Sequence, residues 1–488
     1  MTKQIKSKYQ LEIERVYNTT NSNLFINASA GSGKTTVLKS LAGLTPPTKK
    51  IIFLAFNKSV QEELRSKLPL HVDVSTLHAK AYGVLWSNVK MNVKLNELKN
   101  FIYCRQVIKR KFKDKKAENG YFFEVSSIIN FMKIKNLEIN KENIKKICEN
   151  YGLSDDEKII LDVGSVMNFI TREEQDLNQA KPLNIDFTDM LYLCATKVNP
   201  KDYPKYDVVM LDELQDVSDI QRVIALNLLK PNGRLIAVGD DKQLLYQFCG
   251  ASLESLNVFK NRPNTISLPL PITYRCPKKI VELANTIFPE GTEAFESSEE
   301  GEIELKGTYL DAVEGDLIIC RNNKPLISVW LDLMKAKKKA HIKGKDFGKN
   351  LQLLLTKLSR IEDTKQLLLT KFDDLKNKGI VNPNFHASYV DLEEKCQILQ
   401  ILYKEFKSLE KVDEVLGEVF SDHITNGIIL SSIHKIKGGE ANNVFIVNYD
   451  LIPSKYASTE EELYSEKCCA YVCLTRAKRK LTFCKIDL

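Results

Sequence analysis

The sequence predicts an α/β protein built on parallel sheets and divided between at least two lobes. Apolar runs of strand length, at 24–26, 51–56, 72–75, 206–211 and 234–238, alternate with amphipathic helical patterns, the rhythm of strand-helix-strand units. The first run is followed by a glycine-containing loop and then at once by a helical pattern from about Thr35. At 488 residues the chain is too long for one hydrophobic core, and its length suggests about three domains or subdomains.

The loop, NASAGSGKTT at 27–36, organises the rest. A strand, a glycine-rich turn and a helix in succession form a phosphate-binding loop, in which backbone N–H groups and the helix N-terminus face negative charge. Ala30, Gly31, Ser32 and Gly33 supply that backbone, the glycines allowing strained dihedrals and close approach. Lys34 is expected at the β- and γ-phosphates of a nucleoside triphosphate, with the Thr35 hydroxyl in the shell of a Mg²⁺ ion. Ala28 stands where the general pattern has its first glycine.

Composition narrows the class. With 43% hydrophobic and 27% charged residues and no low-complexity tract, the chain is globular. No apolar run reaches membrane-spanning length and no signal peptide is visible, so a cytoplasmic protein without membrane contact is expected. Eleven scattered cysteines without C-x-x-C spacing argue for reduced thiols and against zinc or iron–sulfur sites. Lys and Arg outnumber Asp and Glu more than twofold over residues 81–150, an excess equal to the formal net charge of +8. That stretch fits a polyanionic partner and, equally, a solvated helical surface.

Before the loop, Gln10 opens a helical pattern; its amide suits an adenine edge, although its simplest place is the surface. After the second strand, Phe56 and Lys58 combine a ring for a base with a cation for a phosphate. The third strand leads to Thr76-Leu77-His78 at a helix start. Residues 87–185 read as a helical insertion. The strand 206–211 ends in Asp212-Glu213, the paired carboxylates that phosphoryl transfer needs: Asp212 for Mg²⁺ and Glu213 to orient and deprotonate water. The next strand ends in GDDKQ, bringing Gln243 to the sheet edge where ligands of open α/β sheets bind.

Nine blocks in this order resemble the UvrD/Rep-type superfamily 1 helicases: NASAGSGKTT, LAFNKSVQEEL, STLHAKAYG, DFTDML, VVMLDELQD, VGDDKQLLYQFCGA, TYRCPKKIVELAN, SSIHKIKGGEANNVFIV and EKCCAYVCLTRAKRKL. The resemblance implies two RecA-like P-loop NTPase lobes, ATP and Mg²⁺ as cofactors, and single-stranded and tailed duplex DNA as partners. It implies Gln243 as a γ-phosphate sensor, Tyr274 stacked on adenine, Arg275 at the γ-phosphate, Arg476 as an arginine finger and Glu440 at the ribose. Gln10 and Thr36 fall beside the base, and many relatives carry Arg where this chain has Thr36. Phe56, Lys58, Thr76, His78, Tyr246, Phe248 and His434 fall on the DNA side, where base stacking contributes about 1–3 kcal/mol per base without sequence preference. The blocks around His434–Glu440 and Gln243–Gly250 resemble the 3′→5′ branch. Cys249 replaces an Arg usual in the family.

The expected organisation is a first lobe over 1–265 with its helical insertion at 87–185, and a second over 266–488 with a shorter helical insertion at 346–422. ATP is expected in the cleft between them. The chain ends soon after Arg476, so no fused nuclease is expected, while a separate nuclease or a replication or repair protein stays open as a partner. The leading function is a DNA-stimulated ATPase and 3′→5′ helicase. The alternative is a nucleic-acid-gated ATPase that switches partners without unwinding.

Overall fold

The five apolar runs read as strands before residue 240 all enter one six-stranded parallel sheet. Its order is Val72–Thr76, Ile51–Ala55, Tyr206–Leu211, Leu229–Gly239, Asn23–Ala28 and Thr265–Leu270. The runs are apolar throughout because helices cover both faces. Alternate residues serve opposite cores: Leu24, Ile26, Ile51 and Phe53 pack with Ile13, Leu38 and Leu41, whereas Phe25, Ile52 and Leu54 pack with Leu77, Leu191 and Ile220.

The structure is a computed structural model describing residues 6–88, 93–112, 115–150, 153–175, 183–245, 253–289, 291–377, 382–385, 387–421, 426–457 and 459–487. It divides into two units, Met1–Ala28 with Gly33–Leu270, and Ser29–Ser32 with Pro271–Leu488. Thr265–Leu270 groups with the first unit and pairs along its whole length with Asn23–Ala28. This is an edge strand, half-exposed and carrying Pro269, as edge strands tolerate.

The second unit holds another six-stranded parallel sheet, ordered Glu302–Gly307, Ala477–Cys484, Ala441–Val447, Leu317–Cys320, Ile428–Ser432 and Ala340–Ile342. Each unit thus has the sheet of a RecA-like lobe.

Both sheets are interrupted by helices, in different ways. In the first unit, Lys99–Val107, Lys115–Ile134, Lys141–Asn150 and Glu157–Gln175 enclose a core of their own, including Phe122, Val125, Ile128, Val163 and Val166. The short parallel pair Val93–Leu95 and Leu183–Ile185 closes this insertion at its base. In the second unit, Lys345–Leu355, Asp363–Asn377, Ala387–Phe406 and Leu409–Val419 share one core with the sheet: Leu351, Leu399 and Leu416 belong to the same cluster as Ile318, Trp330 and Leu430. Among the described residues no helix is long and apolar enough to cross a membrane. The described cysteines are buried and unbridged.

Candidate active site

The strand Asn23–Ala28 delivers the chain to the loop, and the helix Lys34–Leu44 leaves it. Gly33, the N-cap of that helix, has φ +84° and ψ 36°, a left-handed conformation that glycine adopts without strain, and no side chain caps the helix. Its first N–H groups therefore face the position a phosphate would take. Gln10 corrects the surface reading: it is buried in a capping box with Ser7, its Oε1 accepting from the Ser7 amide at 3.0 Å. Its Nε2 lies 3.6 Å from where a Cβ on Gly33 would stand, and Thr36 Cβ lies 3.7 Å from the same point, so Gln10, Gly33 and Thr36 meet there.

Lys34 is buried, and its Nζ lies 3.2 Å from Glu213 Oε2. Burial disfavours its charge, but Glu213, Asp240 and Asp212 outweigh that and hold its pKa above the ordinary lysine value. Thr35 Oγ1 donates to Asp212 Oδ2 at 2.7 Å. Burial, reinforced by the charge of Glu213, pushes the Asp212 carboxyl up to about 6, against the hydrogen bond from Thr35 and the charge of Lys34. A hydroxyl and a carboxylate oxygen side by side are the hard donors a Mg²⁺ ion takes from protein when water and phosphate complete its shell. Ser32 Oγ, buried and without a hydrogen-bond partner, adds a donor suited to a phosphate oxygen.

Glu213 has φ +52° and ψ 48°, a left-handed conformation costly for a residue with a Cβ. It is held there by neighbours the sequence reading did not single out. Gln215 Nε2 donates to Glu213 Oε2 and its Oε1 accepts from the Asp240 amide at 2.9 Å. Asp240 Oδ2 in turn accepts from Gln243 Nε2 at 2.6 Å. One chain of contacts thus runs from Lys34 through Glu213, Gln215 and Asp240 to Gln243, all within the first unit. The signal for Gln215 and Asp240 was present, as polar residues flanking each carboxylate-bearing strand end in DELQD and GDDKQ.

The described DNA-side candidates of the first unit share one sheet edge. Ala55 and Thr76 are paired in register. Phe56 follows at 49% exposure, and Lys58 is exposed at the start of its helix beside Glu62. Thr76 Oγ1 accepts from the Ala79 amide, capping the helix that presents His78 to solvent. Tyr246 and Phe248, like Cys249, lie outside the described residues.

In the second unit, the Tyr274 ring lies 4.8 Å from that of Phe295. Arg275 Nε donates to Glu440 Oε2, and Glu440 also pairs with Lys478, so its carboxyl stays below the ordinary range despite partial desolvation. Arg476 is 1% exposed; its Nε donates to the Val472 carbonyl (2.9 Å), Nη1 to that of Gly439 (3.3 Å) and Nη2 to Thr475 Oγ1 (3.1 Å). Gly31, assigned to this unit, has φ +72°, and a Cβ there would come within 2.6 Å of Arg275 Cβ and 2.7 Å of Thr273 Oγ1. His434 is half-buried, with Nε2 3.8 Å from Cys469 Sγ.

Comparison with known proteins places the chain in a family. The UvrD/REP helicase N-terminal domain matches residues 10–264, and the UvrD-like helicase C-terminal domain matches residues 335–487. The chain belongs to the UvrD/REP helicase family. Within it, the chain is 25% identical to F-box DNA helicase protein 1 of Schizosaccharomyces pombe, over 94% of this chain and 55% of that protein. It is 24% identical to F-box DNA helicase 1 of Gallus gallus, over 87% of this chain and 42% of that protein. It is also 25% identical to the ATP-dependent DNA helicase PcrA of Leuconostoc citreum, over 56% of this chain and 38% of that protein. This UvrD/REP-family chain spans about half the length, or less, of these relatives.

Proposed function

We propose that this chain is an ATP-dependent DNA helicase that translocates 3′→5′ along single-stranded DNA and separates tailed duplexes. The observation that carries the reading is the hydrogen-bonded line from Lys34 through Glu213, Gln215 and Asp240 to Gln243. It joins the residue for the phosphates to the residue for water activation and then to the γ-phosphate sensor.

Lys34 and the N-terminus of its helix hold the β- and γ-phosphates of ATP, and Ser32 offers its hydroxyl to the same oxygens. Thr35 and Asp212 hold Mg²⁺, which when bound neutralises charge on the phosphate oxygens. Glu213 orients the attacking water and takes its proton, its carboxylate fixed by Gln215. Gln243 reads the γ-phosphate and passes its loss to Asp240 and Gln215. Gln10 and Tyr274 take the adenine and Glu440 the ribose, while Arg275 and Arg476 stabilise charge in the transition state as the lobes close. Phe56, Lys58, Thr76, His78, Tyr246, Phe248 and His434 follow the strand.

The test is phosphate release with and without single-stranded DNA. Lys34→Ala and Glu213→Gln lower turnover at least about a hundredfold, and Arg476→Ala does so while ATP still binds. Wild-type rates in these variants would sink the assignment. Displacement from 3′-tailed but not 5′-tailed duplexes establishes direction. A second reading, a DNA-gated ATPase that switches partners without unwinding, is favoured by the short second insertion and its single core shared with the sheet. Turnover on single strands without displacement on either tail would select it.

A further inference from the structure

Residues 29–32 group with the second unit, and a chain of hydroxyls runs between them and its residues. The Ser29 hydroxyl donates to the Gly291 carbonyl at 2.6 Å, and the Thr292 hydroxyl donates to Ser29 Oγ at 3.2 Å. The Tyr471 hydroxyl lies 2.9 Å from Thr292 Oγ1 and accepts from the Ala30 amide at 3.3 Å. Each hydroxyl owns one proton, and that of Thr292 is committed to Ser29, so Tyr471 donates to Thr292. The direction is thereby set from the Ala30 N–H through Tyr471, Thr292 and Ser29 to the Gly291 carbonyl. Ser29, Ala30, Thr292 and Tyr471 are all buried, where a half-satisfied network is costly.

Tyr471 also reaches the opposite way. Its carbonyl accepts from the Thr475 amide at 3.1 Å and from the Thr475 hydroxyl at 2.9 Å. Thr475 anchors both arginines of this unit: its carbonyl accepts from Arg275 Nη1 at 3.4 Å, and its Oγ1 from Arg476 Nη2 at 3.1 Å. The Tyr471 ring is fixed separately, edge-on to Phe288 at 5.8 Å and packed with Ala30 and Ala284.

We propose that Tyr471 is a positioning residue for ATP hydrolysis, its hydroxyl holding the Ala30 peptide of the phosphate loop in register with Thr475 and so with Arg275 and Arg476. The inference rests on the ATPase reading above. Without the hydroxyl, the Ala30 N–H is buried with no acceptor and the loop peptide is free to turn, while the ring packing remains.

The test is steady-state ATPase kinetics of the full chain with saturating single-stranded DNA. Tyr471→Phe lowers kcat about tenfold, the effect of one buried hydrogen bond lost from the organised site, and leaves single-stranded DNA affinity without nucleotide unchanged. Thr292→Val, which interrupts the same chain from the other side, lowers kcat to a similar extent, and Thr292→Ser restores it. The Tyr471→Phe/Thr292→Val double variant is no slower than the slower single variant, because the chain fails as a unit. Wild-type kcat in Tyr471→Phe, or single effects that multiply in the double variant, overturns the proposal. A wild-type chain that does not hydrolyse ATP overturns the ATPase reading and this inference with it; an active wild type with an unaffected Tyr471→Phe overturns this inference alone.

Discussion

The two helical insertions solve one problem by opposite means. The first keeps its apolar residues to itself and is tied to its sheet through buried charge. Lys99 and Lys133, on two of its helices, are fully buried and pair with Glu174 at its end and with Asp189 on the helix Phe187–Lys197 beyond it. The second, among the described residues, shares its core with the sheet, and Glu394 from one of its helices accepts the Asn323 and Lys324 amides at the start of a helix against the sheet. A shared hydrophobic core is non-directional and joins the two parts into one cooperative body. Buried ion pairs contribute little net stability but penalise every arrangement that leaves a charge unpaired, so they specify orientation.

This difference is open to attack in order of size. Asp189→Asn leaves two buried lysines sharing Glu174, and is expected to cost about 3–5 kcal/mol in chemical denaturation. Hydrogen exchange then accelerates in residues 99–175 before the sheet strands. Next come paired truncations, each about 2–4 kcal/mol. Ile128→Ala should speed exchange in the first insertion while Ile51–Ala55 stays protected, whereas Leu399→Ala should expose Leu317–Cys320 together with its own helix. Equal spreading in both variants would dissolve the contrast.

The smallest effect is pH-dependent and lies in the second unit. Burial and the charge of Arg321 hold His434 down to about 4, against the opposing charge of Glu466. An unfolded chain therefore takes up a proton below pH 6.5 that the folded one refuses, and stability is lost as pH falls from about 6.5 towards 4. The loss attributable to this ring is on the order of 1–3 kcal/mol. Denaturant midpoints at pH 7 and pH 4.5 should lie closer together in His434→Gln than in the wild type.

The strands of the first sheet were legible from local signals, apolar runs of strand length between helical patterns, as was the strand-turn-helix context of the loop before Lys34, whereas the second sheet was expected only from the resemblance. Thr265–Leu270 escaped because an edge strand is half-solvated and its residues look like loop. The Leu- and Lys-rich pattern at 346–422 announced helices, yet nothing in it tells which surface their apolar stripe will cover. Gln10 was legible as an amide near a loop but not as buried, since its burial comes from capping its own helix. Tyr471 lay in the block that carries Arg476, yet its role was not legible there: a tyrosine in a helix shows its partners only once Thr292 and Ala30 are beside it.

The register of the first sheet also bears on how the chain is made. Among the described residues, Asn23–Ala28 pairs with Leu229–Gly239 and Thr265–Leu270 alone. At about 5–20 residues per second, a ribosome needs roughly 10–50 s to supply those neighbours after the first strand has emerged. Through that interval Leu24, Phe25 and Ile26 have no ladder to join, while the first insertion, whose contacts are local, completes its own core. The strand that leads into the phosphate loop is thus an early product of translation and a late arrival in the fold, and a nascent chain halted near residue 200 should be held by chaperones through its first sixty residues rather than its insertion.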